Sequence, residues 1–66
     1  MRFRFERREP DGGLARFERG LPDDTAALEW MGRESLTPGD ALYAFRDGDE
    51  QPFARRTFQN LPETLG

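Results

Sequence analysis

The stretch PDDTAALEWMGRESL, residues 22–36, decides how the rest of the chain is read, because it alone carries helix signals at both ends. Asp23 and Asp24 each offer a carboxylate to the orphan amides of a first turn, and their charge suits the positive end of the helix dipole. Ala26, Ala27, Leu28 and Met31 are good or tolerable helix formers. Glu29 and Arg33 stand four residues apart in the favourable order, and Arg33 falls in the last turn. Beyond it, Leu36-Thr37-Pro38-Gly39 supplies a proline with preset φ followed by a glycine free to take positive φ, so a type II turn is expected to reverse the chain there.

Outward from this helix the pattern is that of strands. Upstream, Arg2-Phe3-Arg4-Phe5-Glu6 alternates with Phe3 and Phe5 on one face, the period of a half-buried strand. Turn formers crowd Glu9-Pro10-Asp11-Gly12-Gly13, after which Leu14-Ala15-Arg16-Phe17-Glu18-Arg19 resumes the alternation, so the two runs are expected to pair as an antiparallel hairpin. Downstream, Ala41-Leu42-Tyr43-Ala44-Phe45-Arg46 has strand character, with Tyr43 and Phe45 as its heavier face. Asp47 to Pro52 reads as a hairpin connection with an Asp-Gly signal, and Phe53 to Thr57-Phe58 returns as a fourth strand. Phe53 and Phe58 have opposite parity, which calls for either a bulge between them or one exposed ring.

The expected fold is therefore a single α+β domain over residues 1–58, ordered ββαββ, with one helix packed on a four-stranded antiparallel or mixed sheet. Residues 59–66 form a short tail that packs loosely or frays. Phe3, Phe5, Phe17, Leu28, Met31, Tyr43 and Phe45 make up the expected core, with Ala15 and Ala27 as small residues that let helix and sheet approach.

Composition narrows the function. A chain of 66 residues without Cys or His has neither a disulfide framework nor ligands for a structural zinc. Nucleophile chemistry is poorly served: Ser35 is the only serine and has no base, and no Lys is present for a Schiff base or a phosphate loop. The segment from Asp47 resembles a calcium loop only superficially, since Pro52 stands where that loop needs Gly and Phe58 where it needs Glu. No enzymatic activity, cofactor or metal is expected. The opening Met-Arg-Phe-Arg-Phe-Glu leads into no apolar secretory segment, and the longest apolar run, Ala41 to Phe45, is far short of the about 20 residues that span a bilayer. The expected location is cytoplasmic, with no membrane partner.

Charge is unevenly spread. Residues 1–19 hold six Arg against four acids, residues 20–52 two Arg against eight acids, and residues 53–66 two Arg against one. Acids thus gather on the helix and its flanking loops, and Arg on the strands.

Two surfaces follow from this layout. The first is acidic: Asp23, Glu29, Trp30, Arg33 and Glu34 on the helix, with Asp47, Asp49 and Glu50 on the loop after the third strand. With Leu28 at the origin of a helical wheel, Met31 and Ser35 lie within about 60° of it and Trp30 about 160° away. Trp30 then either closes the edge of a small core or stands partly exposed as an aromatic anchor in an acidic rim, suited to a basic protein surface. The second is basic: Arg2, Arg4 and Arg16, joined by Arg46 and Arg56, on the open sheet face, where guanidinium groups meet phosphates or stack on bases. Glu6 and Glu18 on the same face favour instead an Arg/Glu ladder that merely keeps the sheet solvated.

The leading expectation is a small non-enzymatic interaction protein that binds a macromolecular partner, a basic protein surface above all, through its acidic helix and loops. An inhibitor of a nucleic-acid-handling complex is one concrete form. The order of elements around an acidic helix is similar in outline to some phage-encoded anti-CRISPR proteins and to small bacterial domains of unassigned role. That resemblance covers no motif and transfers no residues. The alternatives are a nucleic-acid-binding module using the Arg-rich face, and a self-associating structural protein, since an open sheet has edges that invite a homodimer.

Overall fold

A computed structural model describes residues 1–65; Gly66, the last residue of the expected tail, lies outside the described residues. The elements run β1 (Arg2–Arg8), β2 (Leu14–Gly20), α1 (Asp24–Arg33), β3 (Ala41–Arg46), β4 (Ala54–Thr57) and β5 (Glu63–Thr64). One helix packs on an antiparallel sheet in the order β2-β1-β3-β4-β5. The α+β architecture is the expected one, but the sheet has five strands rather than four. The fifth comes from the segment expected to fray, where Ala54 pairs with Thr64, Arg55 pairs with Glu63, and the Leu65 N–H donates to the Phe53 carbonyl at 2.9 Å.

The topology explains why a helix is needed. Both β2 and β3 are antiparallel to β1, so they run parallel to each other with β1 between them. A parallel return requires a crossover of about a dozen residues or more, which α1 and its flanks provide. Asp23 is the N-cap, its side chain accepting from the Ala26 N–H at 2.9 Å. At the other end the Thr37-Pro38-Gly39-Asp40 reversal closes as expected, with the Asp40 N–H on the Thr37 carbonyl at 3.0 Å and Gly39 at φ +91°. The buried Asp40 carboxylate accepts from both the Thr37 N–H and the Thr37 hydroxyl.

The register fixes which residues look at the helix. Phe5 stands opposite both Phe17 and Ala44, so Phe3, Phe5, Phe17, Leu42 and Ala44 share the helix face. The core joins Phe3, Phe5, Ala27, Met31, Leu36, Leu42, Ala44, Phe53 and Ala54, with Phe17, Leu21, Leu28, Trp30 and Phe58 half-buried against it. The expectation for β3 is thereby reversed. Leu42 and Ala44 face the helix, because Ala44 stands opposite Phe5 and Leu42 opposite Arg7, while Tyr43 and Phe45 lie on the opposite, open face, where Phe45 is buried beneath the Arg4 guanidinium. Phe53 is buried ahead of β4, its N–H on the Ala44 carbonyl at 2.8 Å, so that it and Ala54 both stand opposite Ala44 and both enter the core. This irregularity at the start of β4 offsets the parity of Phe53 from that of Phe58, which follows the strand.

The helix is also turned relative to the expected wheel. Measured from Ala27, which is wholly buried, Met31 lies about 40° to one side, Trp30 about 60° to the other and Leu28 about 100° away, at 3.6 residues per turn. Trp30 therefore faces inward. Its ring packs 4.2 Å from that of Phe5 and 5.3 Å from that of Phe17, centroid to centroid, closing the core beneath the β1–β2 hairpin. Glu29 and Arg33 are exposed and make no ion pair with each other, in contrast to the expected i,i+4 pair. No helix of the described residues is long and apolar enough to cross a membrane.

Candidate functional site

Two charged surfaces emerge, and they differ in how much of their charge is already used inside the molecule. The open face of the sheet is set by register: Arg2, Arg4, Glu6 and Arg8 from β1, Leu14, Arg16 and Glu18 from β2, Tyr43 and Phe45 from β3, and Arg55 from β4. Glu6 is its hub. Its carboxylate is buried and lies 3.2 Å from Arg8, 3.4 Å from Arg16 and 3.8 Å from Arg4. Arg2 pairs with Glu18 at 3.0 Å. Two of these guanidinium groups also cover rings, Arg4 at 4.4 Å above Phe45 and Arg8 at 4.3 Å above Tyr43, with Arg55 at 6.0 Å from the same Tyr43 ring. Arg4 additionally donates to the Asp49 carbonyl, tying the β3–β4 loop to this face.

Of the five Arg expected on the open face, Arg2, Arg4 and Arg16 are there. Arg46 and Arg56 are not. Both lie on the helix face, because Arg46 shares the parity of Leu42 and Ala44, and Arg56 that of Ala54. Arg46 forms a two-bond pair with Asp24 in the first helical turn, at 3.2 and 2.6 Å, while its guanidinium lies 4.4 Å above the Phe53 ring. The hydrogen bond from Arg46 holds the Asp24 carboxyl below the usual carboxylate range. Arg56 caps the other end of the helix, donating from Nη1 to the carbonyls of Met31 and Glu34 at 2.9 and 2.7 Å. Neither role is visible in alternation alone, since each partner is a terminal group of the helix more than twenty positions away.

The acidic surface is built by the topology. β1 begins, and β2 and β3 end, on the side of the sheet where α1 starts, so Asp23 and Asp24 share one end of the molecule with Asp47, Asp49 and Glu50 of the β3–β4 loop. The Asp47 N–H donates to the Arg2 carbonyl, fixing that loop against β1. Glu29 and Arg33 extend the surface along the outer side of the helix. Glu34 lies at its far end, about 15 Å from Asp24 at 1.5 Å per residue, and Trp30 is on the opposite, core side. The structure thus brings Asp23, Asp47, Asp49 and Glu50 together and separates Glu34 and Trp30 from them.

Among the described residues, Glu29, Glu34, Asp47, Asp49 and Glu50 make no ion pair. Glu6 lies on the open face as its alternation with Phe3 and Phe5 implies, whereas sequence reading missed Arg8, Tyr43, Phe45 and Arg55 as members of that face; the signal that places the β3 and β4 residues there is the Phe5–Ala44 register. Among the same residues no group of three or more metal-ligating side chains gathers. Comparison with protein families, with curated proteins and with solved structures finds no match to this chain, so its surfaces are interpreted without a relative.

Proposed function

We propose that this protein is a small, cytoplasmic, non-enzymatic interaction module that binds a basic protein surface through its acidic end and the outer side of α1, and acts by occluding that surface. What supports the reading is the unequal use of charge. The Arg residues of the open face are spent on Glu6, Glu18 and the rings of Tyr43 and Phe45, whereas Asp47, Asp49, Glu50 and Glu29 make no ion pair among the described residues. Charge left unpaired on a rigid frame steers a partner of opposite sign and adds little to the stability of its own fold. Trp30 enters as a support that fixes the helix on Phe5 and Phe17, with the carboxylates as the contacting groups. The experiment is affinity capture from nuclease-treated host extract, comparing the native chain with a variant carrying E29Q, D47N, D49N and E50Q. A protein with a basic surface should be held by the native chain, released by salt and lost to the variant. Equal recovery by both proteins rejects the reading.

One observation favours a second reading: the half-buried Tyr43 lies on the open face among Arg2, Arg4, Arg8, Arg16 and Arg55, with Phe45 buried beneath Arg4, an Arg-rich surface with one accessible ring of the kind that binds single strands. On this reading a single-stranded oligonucleotide binds at low salt, and the affinity falls steeply with salt and with replacement of Arg2, Arg4 and Arg16 by Ala. Fluorescence anisotropy that shows no binding at low salt removes it.

A further inference from the structure

The β2 edge of the sheet is seven residues long and, among the described residues, has no neighbour beyond it, whereas the opposite edge, β5, has two residues and follows Pro62. The direction of its free hydrogen-bonding groups follows from the ladder. Met1 and Leu21 exchange both backbone bonds, each at 2.8 Å, and the Glu9 N–H donates to the Gly13 carbonyl, also at 2.8 Å. Alternation then makes Phe3/Arg19, Phe5/Phe17 and Arg7/Ala15 the bonded pairs of β1 and β2. The N–H and C=O groups of Leu14, Arg16, Glu18 and Gly20 consequently point outward; the Glu18 carbonyl accepts from the exposed guanidinium of its neighbour Arg19 at 2.8 Å, a bond that an added strand would replace.

We propose that this edge pairs antiparallel with β2 of a second copy of the chain, across a two-fold axis beside Phe17, so that two sheets join into one. Because only the even-numbered residues offer outward groups, the two-fold registers are few. One places Arg16 against its own copy, another places Glu18 against its own copy, and the one centred on Phe17 places Arg16 against Glu18 on both sides of the axis. Like charges directly opposite are destabilising and opposite charges stabilising, so the third register is selected. It also overlaps the whole strand, pairing Leu14 with Gly20 and forming about eight backbone hydrogen bonds.

The side chains fit this arrangement on both faces. On the open face, Arg16 and Glu18 are well exposed, at 65% and 55% of their side-chain surface, and already pair with Glu6 and Arg2, so each junction continues a ladder of alternating charge from one sheet into the next. Leu14, itself 48% exposed, lies over Gly20, where a side-chain atom would meet nothing within 4 Å. On the helix face the two Phe17 rings meet at a non-bonded pair, the kind in which side chains come closest. Each is backed by its own Trp30.

The test is sedimentation of the whole chain over a concentration series, with two charge reversals and one backbone variant. The native chain should pass from a 7.6 kDa monomer to twice that mass as concentration rises. R16E and E18R should each stay monomeric over that range, since each sets like charges opposite one another, while an equimolar mixture of the two should form a heterodimer. R16P removes an outward N–H and leaves the β1 ladder untouched, so it should abolish the dimer while keeping the near-ultraviolet signature of Trp30. A native chain that is monomeric throughout, single reversals that dimerise like the native chain, or reversals that fail to assemble when mixed each overturn the proposal. The reversal pair decides the matter even if R16P does not fold.

Discussion

At the scale of single residues, the Thr37–Asp40 turn shows how local chemistry and a distant contact combine. Gly39 adopts φ +91°, and a Cβ placed there would lie 2.8 Å from Cγ of Pro10, in the loop between β1 and β2. Gly12 has a similar φ of +94° but open space around it. Gly12→Ala should therefore cost about 1 kcal/mol for the left-handed backbone alone, and Gly39→Ala about 2–3 kcal/mol for backbone and collision together. Urea midpoints of the two variants measure the difference, and adding Pro10→Ala to Gly39→Ala should recover part of it. The turn itself was legible because Pro38 and Gly39 are neighbours and their φ preferences act on their own backbone. The contact with Pro10 was not, since nothing in either loop specifies that the β1–β2 loop and the turn before β3 meet.

At the scale of elements, α1 is fastened to the sheet at both ends by Arg side chains that alternation assigned to the wrong face. Arg56 reaches two terminal carbonyls at a half-buried junction, that of Glu34 and that of Met31, the latter also accepting from the Glu34 N–H at 3.3 Å. Arg56→Met keeps the aliphatic stem and removes these bonds, and should destabilise the fold by about 2 kcal/mol in thermal or urea unfolding, since bonds to a charged donor contribute about 1.5–3 kcal/mol and this one is partly exposed. Arg56→Lys should fall between, because an ammonium cannot span both carbonyls as the fork does. The N-terminal fastening is pH-dependent, and so is the Thr37–Asp40 turn. The Arg46 hydrogen bond lowers the Asp24 pKa, and the Thr37 backbone and hydroxyl donors lower that of Asp40. For a depressed carboxylate the unfolded chain takes up a proton first, at about pH 3.9. The stabilisation is present in full above that value and is lost as pH falls through the folded pKa. Urea midpoints recorded from neutral to acid pH should thus drop below about pH 4, and Asp24→Asn and Asp40→Asn should each start lower at neutral pH and drop less. The strands β1 to β4 and the helix were readable because their periodicity or their caps are written in consecutive residues. β5 was not, since Glu63–Thr64 has no pattern of its own and exists through pairing with Ala54 and Arg55. The face of β3 was misread because bulk was taken as the sign of the core, whereas Tyr43 and Phe45 find their cover in Arg8 and Arg4 on the open side.

At the scale of the whole molecule, one carboxylate separates the two readings of function. The net charge of −3 conceals an open face on which Arg outnumber acids, and what keeps that face from behaving as a cation is chiefly Glu6, set among Arg4, Arg8 and Arg16. Removing its charge leaves three guanidinium groups without a counter-ion. Two outcomes follow from the same substitution, Glu6→Gln. The fold should lose about 1–2 kcal/mol, less than the 3–5 kcal/mol of a fully buried broken pair, because the three Arg partners are themselves open to water. At the same time the face becomes an anion-binding surface, so the variant should be retained on immobilised heparin at low salt and elute at higher salt than the native chain, with a steeper salt dependence in oligonucleotide binding. A native chain that already binds heparin as firmly as the variant would mean that Glu6 does not neutralise the face, and would favour nucleic acid over a basic protein as the partner. Weak retention of the native chain beside firm retention of the variant would place its available charge at the acidic end, where Asp47, Asp49 and Glu50 stand beside the start of the helix.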